Sequence, residues 1–398
     1  MGGLTALPAA AAYQSTNLPI YPPLRRTNPP THQSTMPPAN NSQPQFYASR
    51  PTIKIDGTEQ RELSESLLQS LLIEETTLGL FRCEARFANW GAQGDRVDFY
   101  LFDGRIVDFG KEIEIELGPP GGARRVFKGR ISALEAHYAK ERPPELTVLA
   151  EDRFQDLRME RRTRTFEDST DADAMNAIIS QHGLTAAIDV DGPTHRVLAQ
   201  VNQSDLAFLR ERAAAVDAEL WLDDRTLHIQ ARARRDAGGV TLTYGAELLE
   251  LTLLADLAHQ RSAVKVSGWD VAGKEAIDVE AGESVLSSEL SQGRRSGGAT
   301  LGRALAERTE RVGLATPLSQ QEAQALADAS YRRRARRFLT GAGVADGNPA
   351  IQVGAALDLR GVGPLFEGKY TVTLARHTYD MVNGYRTTFE VGRPDIGG

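Results

Sequence analysis

The sequence predicts a mainly β protein in which one β unit occurs twice, with an α/β insertion between the copies. Three observations carry this. An alternating strand Phe109–Leu117, a Phe127-Lys-Gly129 strand start, the pair His137-Tyr138 and a closing strand Glu145–Glu151 form the first copy. Val353–Arg360, Phe366-Glu-Gly368, His377-Thr-Tyr379 and Tyr385–Val391 repeat that order about 240 residues later. Between the copies the apolar period changes from two to that of a helix, as Met175, Ile178 and Ile179 share one helical face. Two copies are too few for a solenoid, so they read as two related β domains.

The elements follow in order. Residues 1–50 hold nine of the nineteen prolines and no Asp, Glu or Lys, with Arg25, Arg26 and Arg50 as the charges. Such a segment buries little apolar surface and reads as a proline-rich flexible arm. It is either a plain linker or an arm that threads onto a partner through Tyr13, Ile20, Tyr21 and Phe46. The first β domain spans 51–152, with strands expected at 52–57, 67–75, 80–88, 97–102, 111–117, 126–138 and 145–151, enough for a small barrel or sandwich. The α/β insertion spans 153–240. Its helices start at Ser169 or Thr170 and at Ser204-Asp205, and Glu219–Leu222 and Thr226–Gln230 form a hairpin. Gly183 sits where a left-handed helix end is expected. The second β domain spans 241–393, with strands at 248–254 and 262–268 and a polar loop from Gly282 to Gly298. Ser319-Gln-Gln-Glu322 is a capping box before a helix 319–339, and 394–398 form a short tail.

At 398 residues with 41% hydrophobic content, the chain is long enough for two or three globular domains. A net charge of −7 disfavours a phosphate-binding surface as its main purpose. Cys83 is the single cysteine and alternates within a strand, which excludes an intrachain disulfide and reads as a packed thiol. No apolar run approaches the roughly 20 residues of a membrane helix, and the N-terminus lacks a signal-peptide pattern, so folding in a cytoplasm is expected.

No constellation demands an enzyme: the nucleophile elbow, the paired-histidine zinc motif and the phosphate loop with its lysine are all missing from the sequence. Gly341-Ala-Gly-Val-Ala-Asp-Gly347 is glycine-rich but follows a helix, which argues against a dinucleotide loop. Asp168, Asp171 and Asp173 lack calcium-loop spacing and suit a helix start. His137 and His377 lie at matching places in the two copies and are expected to share a packing role. Arg332–Arg337, five arginines in six residues, reads as a solvated or dipole-satisfying face, an acidic partner's contact, or a nucleic-acid contact, in that order. Trp90, Trp221 and Trp269 read as core. No catalytic, cofactor or metal residue is nominated.

Phe127-Lys-Gly-Arg-Ile131, Arg162-Thr-Arg-Thr-Phe166, Asp171-Ala-Asp173, His182-Gly-Leu184 and Gln203-Ser-Asp-Leu-Ala-Phe-Leu-Arg210 together resemble the phage late control gene D protein family. The last segment, followed by Asp223-Asp-Arg-Thr-Leu-His228, is its most specific part, and the resemblance covers about 51–393. That family includes baseplate hubs of contractile phage tails and the hub portion of valine-glycine repeat protein G of type VI secretion and of contractile injection systems. The resemblance implies two similar tube-type β-barrel domains per subunit and a homotrimer forming a pseudo-sixfold ring. It implies a non-enzymatic structural role, adapting a sixfold tail tube to a threefold spike. The expected partners are further copies of the chain, a separate spike protein, the tail tube protein and other baseplate proteins, without membrane or specific nucleic acid. Assembly would take place in a bacterial cytoplasm, before incorporation into a phage tail or extracellular particle. Valine-glycine repeat proteins continue into a spike where this chain stops at Gly398, so the spike is expected to be a separate polypeptide or to have been removed. Two other readings are a tail-associated cell-wall hydrolase, for which no carboxylate pair stands out, and a standalone binding or adhesin module using the Trp221 hairpin.

Overall fold

The computed structural model describes residues 50–119, 122–271, 273–312 and 319–397. The proline-rich arm, apart from Arg50, lies outside these residues. β1 (Thr52–Ile55) and β2 (Thr58–Glu59) form a hairpin turned by Asp56-Gly57, both at positive φ. A π-helical turn, Leu63–Leu67, precedes β3 (Leu68–Thr76) and β4 (Arg82–Ala88). A short hairpin, β5 (Gly91–Gln93) and β6 (Arg96–Asp98), then leads to β7 (Glu112–Leu117), β8 (Arg124–His137) and β9 (Glu145–Glu151). Period-two alternation drives these strands, because Ile53, Ile73, Phe87, Ile115, Phe127 and Val148 all face one core. The strand expected at 97–102 shortens to Arg96–Asp98. Beyond it the buried Asn89 side chain accepts a hydrogen bond from Leu101 N, which satisfies that backbone without a ladder.

The middle of the chain is a separate α/β layer. α1 (Phe154–Arg158) and β10 (Arg161–Thr170) precede α2 (Asp171–Gln181), which opens on a reciprocal capping box between Thr170 and Asp173. Gly183 follows it with φ +62°. β11 (Thr185–Asp189) and β12 (Thr194–Ser204) lead to α3 (Asp205–Ala215), where Ser204 accepts from Ala207 N. β13 (Ala218–Asp223) and β14 (Thr226–Ala231) close the layer. β10 and β12 form a two-stranded ribbon, and β14 pairs with β13 and with β11. Met175, Ile178, Leu209, Leu227 and Ile229 share this layer's core.

The third part contains β15 (Gly239–Thr243), β16 (Leu248–Ala255), β17 (Ala263–Asp270), β18 (Glu275–Ala281) and β19 (Arg295–Ser296). α4 (Gly297–Leu305), β20 (Thr309–Val312) and α5 (Gln320–Ala335) follow, then β21 (Leu339–Asp346), β22 (Ala356–Arg360), β23 (Gly368–Asp380), β24 (Gly384–Arg393) and β25 (Asp395–Ile396). Ala323, Ala327 and Tyr331 of α5 pack on Val264, Val266 and Val279 of the β17–β18 sheet. The helix stops at Ala335, short of the expected Leu339, because buried Phe338 and Leu339 already belong to the next core. The glycine-rich stretch 341–347 is no phosphate loop. Its glycines run along and just past β21, where a Cβ on Gly343 would meet the Phe389 ring at 2.7 Å.

Two closed barrels are not what the described strands form. Thirteen strands share one open sheet, along the path β16-β21-β24-β23-β3-β4-β9-β8-β7-β1-β2 with β22 and β15 branching from β23. Within it the order β3-β4-β9-β8-β7 repeats as β16-β21-β24-β23-β22. The bulge between Ile131 and Ala133 in β8 recurs between Val372 and Leu374 in β23. The bulge between Leu68 and Ser70 in β3 likewise recurs between Leu248 and Glu250 in β16. Gly110 N donates to Ile131 O as Gly354 N donates to Val372 O, and both glycines have positive φ. The halves fuse because β23 of the second unit pairs directly with β3 of the first.

Candidate functional site

The feature that organises the molecule is this junction. β23 and β3 run antiparallel, from Leu374 opposite Thr76 to Asp380 opposite Ser70. On one face, Arg376 Nε donates to Glu74 Oε2 at 2.9 Å across the seam. Next to it, buried Glu75 accepts from Val353 N at 2.9 Å, while Arg235 Nη2 donates to Val353 O at 2.7 Å. One residue of the second unit is thus held on both sides, by the first unit and by the segment leaving the middle layer. Arg235 also pairs with Glu219 at 3.0 Å and lies over the Trp221 ring, 4.2 Å from its centroid.

A cavity of about 320 Å³ opens here, with Phe81, Phe127, Asp152, Trp221, Arg235 and His377 among its walls. Burial dominates its acids. Burial pushes Glu75 up to about 7, with the charge of Glu219 adding to it and the bond from Val353 N and the charge of Arg235 opposing it. Asp152 is pushed up to about 8 despite accepting from Phe81 N and Phe154 N. Burial also pushes His377 down to about 4, so the ring is neutral at ordinary pH. Arg125 and Lys128 at the cavity are paired with Asp223 and Asp224. Among the described residues no group of three or more His, Cys, Asp or Glu could hold a metal ion.

A second contact ties the middle layer to α5 at both ends. His195 of β12 places Nδ1 2.6 Å from Glu322 Oε1 in the first turn of α5, and Nε2 3.0 Å from Asp171 Oδ2. Arg212 also bonds Asp171 and lies 3.3 Å from His195 Nε2. At the other end, Arg336 grips Asp217 and Glu289 with charge-assisted hydrogen bonds.

The residues singled out in the sequence scatter. His137 and His377 are not equivalent: the strand pairings superpose Ala136 on His377 and His137 on Thr378. A one-residue slip reverses the face of a strand, so His377 is buried, bonding Thr387 and Tyr385, while His137 is exposed. The Phe-x-Gly matches are likewise displaced, by two residues. The arginine run is mostly turned inward: Arg336 is buried, Arg334 pairs with Glu310, Arg332 donates to Val285 O, and Arg333 and Arg337 are exposed. Asp171 and Asp173 serve α2 as capping and ion-pairing groups. Cys83 is buried, and Trp90 and Trp269 are exposed instead of core. The Glu75, Arg235 and Val353 clasp has no sequence signal, because Glu75 and Val353 are 278 residues apart in the chain, with Arg235 between them.

With this geometry, the fold is that of phage tail proteins. The chain is similar to the 43 kDa tail protein of prophage MuSo2 from Shewanella oneidensis, at 13% identity, TM-score 0.62, 87% of this chain and 98% of that one. A tail protein from Neisseria meningitidis matches with TM-score 0.62 at 12% identity, over 86% of this chain and 96% of that one. A component of the Escherichia coli type VI secretion system, described as structurally similar to T4 bacteriophage tail proteins, matches with TM-score 0.51 at 12% identity, over 86% and 76%. The chain belongs to the family described as the Alg8 N-terminal domain, whose model matches residues 52–380. No curated protein matches it. Among the described residues no helix is long and apolar enough to cross a membrane.

Proposed function

We propose that this chain is a structural baseplate hub of a contractile injection machine, of the late control gene D kind. The single observation that carries the reading is the five-strand unit duplicated in one continuous sheet, within a fold shared with tail proteins. Three chains, each with two such units, supply six similar units around a threefold axis, which suits a part placed between a sixfold tube and a threefold spike. In this reading the partners are two further copies, a spike protein, the tube protein and neighbouring baseplate proteins. The middle layer, clasped by Arg235 and Arg336, keeps the two units in fixed register while force passes along the tube. The chain's work is mechanical and non-enzymatic.

Light scattering on purified protein at low micromolar concentration tests this. A mass of three chains is expected, and a monomer that stays single at every concentration counts against it. Zymography on cell-wall material is expected to show no clearing.

A further inference from the structure

The internal junction has an unpaired counterpart. β23 meets β22 along its first residues and β3 along Leu374–Asp380. In the first unit β8 meets β7 only as far as Arg130. From Ser132 to His137, among the described residues, β9 pairs with one edge and no strand pairs with the other. β16, the counterpart of β3, ends the sheet. It pairs with β21 alone, apart from a single bridge from Leu248 to Tyr244. The chain therefore carries both halves of a second junction, at opposite ends of the repeat.

Burial marks the same two edges. Tyr379 in the closed junction is 6% exposed, whereas its counterpart Tyr138 is 63% exposed even with Phe99 and Phe102 beside it. His377 is buried where Ala136 is exposed. On β16, Leu254 is 53% exposed, and the strand reads Leu-Leu-Glu-Leu-Thr-Leu-Leu-Ala with neither Lys nor Pro to blunt it. A long apolar edge of this kind is a template for strand addition.

We infer that β8 of one copy, from Ala133 onward, pairs antiparallel with β16 of a second copy, repeating between chains the junction that β23 and β3 make within one. Carrying over the internal register sets Leu134 opposite the partner's Ala255, Glu135 opposite the partner's Leu254, Ala136 opposite the partner's Leu253 and His137 opposite the partner's Thr252. The contact is heterologous, so it propagates head to tail, and three copies about the threefold axis of the hub reading close it into a ring. Glu135 and Leu254 take the places of Arg376 and Glu74, so the charge pair of the internal seam is not repeated. This inference deepens the hub reading by naming the strands that join its subunits.

The missing charge pair gives a test at two exposed positions, Glu135 and Leu254, where substitutions typically change stability little. Leu254→Glu sets two carboxylates face to face and is expected to lower the mass on light scattering toward one chain. Leu254→Lys is expected to keep it, and Glu135→Lys combined with Leu254→Glu to restore it. Two cysteine pairs complete the test, Ala136→Cys with Leu253→Cys and His137→Cys with Thr252→Cys. Neighbouring rungs alternate between close and wide spacing, so one pair has the short distance a disulfide needs. Oxidation is expected to give covalent multimers with one of these pairs and none with the off-register pair Ala136→Cys and Leu254→Cys. A wild-type trimer that ignores the charge at 254 and forms no disulfide with either pair overturns the strand pairing and leaves the hub reading standing. A wild-type monomer that also forms no disulfide overturns both.

Discussion

Arg336 and Asp217, 119 residues apart, meet as a buried pair at the point where α5 ends and the middle layer turns from α3 into β13, with Arg336 Nη2 2.7 Å from Asp217 Oδ2. Glu289 completes the site from the third part of the chain. Burial would make the arginine easier to deprotonate, but its two carboxylate partners more than offset this and hold its pKa above the usual value. Arg336 is thus a fixed charge that fastens three segments.

Removing one member of a buried pair leaves the other charge uncompensated, which typically costs about 3–5 kcal/mol. Arg336→Met is expected to reach that range in urea denaturation, because it strands two carboxylates. Asp217→Asn should cost less, since Glu289 still neutralises the arginine. Asn is also the right replacement for backbone reasons: Asp217 has φ +56°, which Asn tolerates better than Ala. Equal losses for the two variants would count against Arg336 as the hub of the cluster.

At the other end of α5 the fastening titrates. His195 is raised above its ordinary value of 6.5, chiefly by its hydrogen bond to Asp171, with Glu322 adding to it. Arg212 opposes this, and Asp171 is itself held below the usual carboxylate range by His195 and Arg212. A raised histidine stabilises the fold fully below its unfolded pKa, and the contribution is lost as pH rises through the folded value. The depressed Asp171 adds stability above its unfolded pKa of 3.8 that is lost as pH falls. His195→Gln should therefore melt lower than wild type near pH 5.5, with the gap closing toward pH 9. A gap that is flat across that range would remove the titrating role.

Much of the β framework could be read from alternation alone. The bounds of Glu145–Glu151 can be read to the residue, because its apolar period, its flanking Pro143-Pro144 and its following acidic stop all agree. The ribbon β10–β12 is not legible for the opposite reason: Arg-Arg-Thr-Arg-Thr-Phe-Glu-Asp of β10 carries polar groups on both faces, and the apolar side chains the ribbon gives to the core are Phe166, in part, and Leu198 of β12. The repeat is legible in the sequence, but its conspicuous letters align residues that the strand pairings do not superpose. Phe-x-Gly and histidine are conspicuous letters, whereas the true equivalence is fixed by bulges and hydrogen-bond partners, which leave no mark in composition. The inward turn of the arginine run is hidden for a related reason, since its partners Asp217, Glu289 and Glu310 are distant in sequence.

Glu75 gives a prediction of opposite sign. Its folded value of about 7 lies above the ordinary 4.5, so the folded state holds a proton that the unfolded chain has released between those pH values. Stability from this residue is present in acid and lost as pH rises from 4.5 to 7. Glu75→Gln keeps a side-chain oxygen to accept from Val353 N and removes the penalty of ionisation. At pH 8 it should be more stable than wild type, by at most about 3 kcal/mol at about 1.36 kcal/mol per pH unit. At pH 4.5 the two should melt together. Destabilisation at both pH values would show that the ion pair with Arg235 outweighs burial.

Gly129 tests the packing inside the first unit without touching any charge. It lies in β8 opposite Ile113, and a Cβ added there would sit 2.3 Å from Glu151 O and 2.6 Å from the Phe127 ring. Neither neighbour can yield easily: the carbonyl belongs to β9, and Phe127 is fully buried, where such a side chain contributes about 1.5–3 kcal/mol. Gly129→Ala is therefore expected to act as overpacking and to cost about 1–3 kcal/mol. Gly384 is the matched control for the second unit: it turns the β23–β24 hairpin at φ +66° with open space around it, so Gly384→Ala is strained by backbone conformation alone. Gly384→Asn should recover most of that loss, whereas Gly129→Asn should be worse than Gly129→Ala, because a larger side chain deepens the clash. Urea midpoints for the four variants separate the two mechanisms, and recovery by asparagine at 129 would show that β8 is not packed against β9 as described.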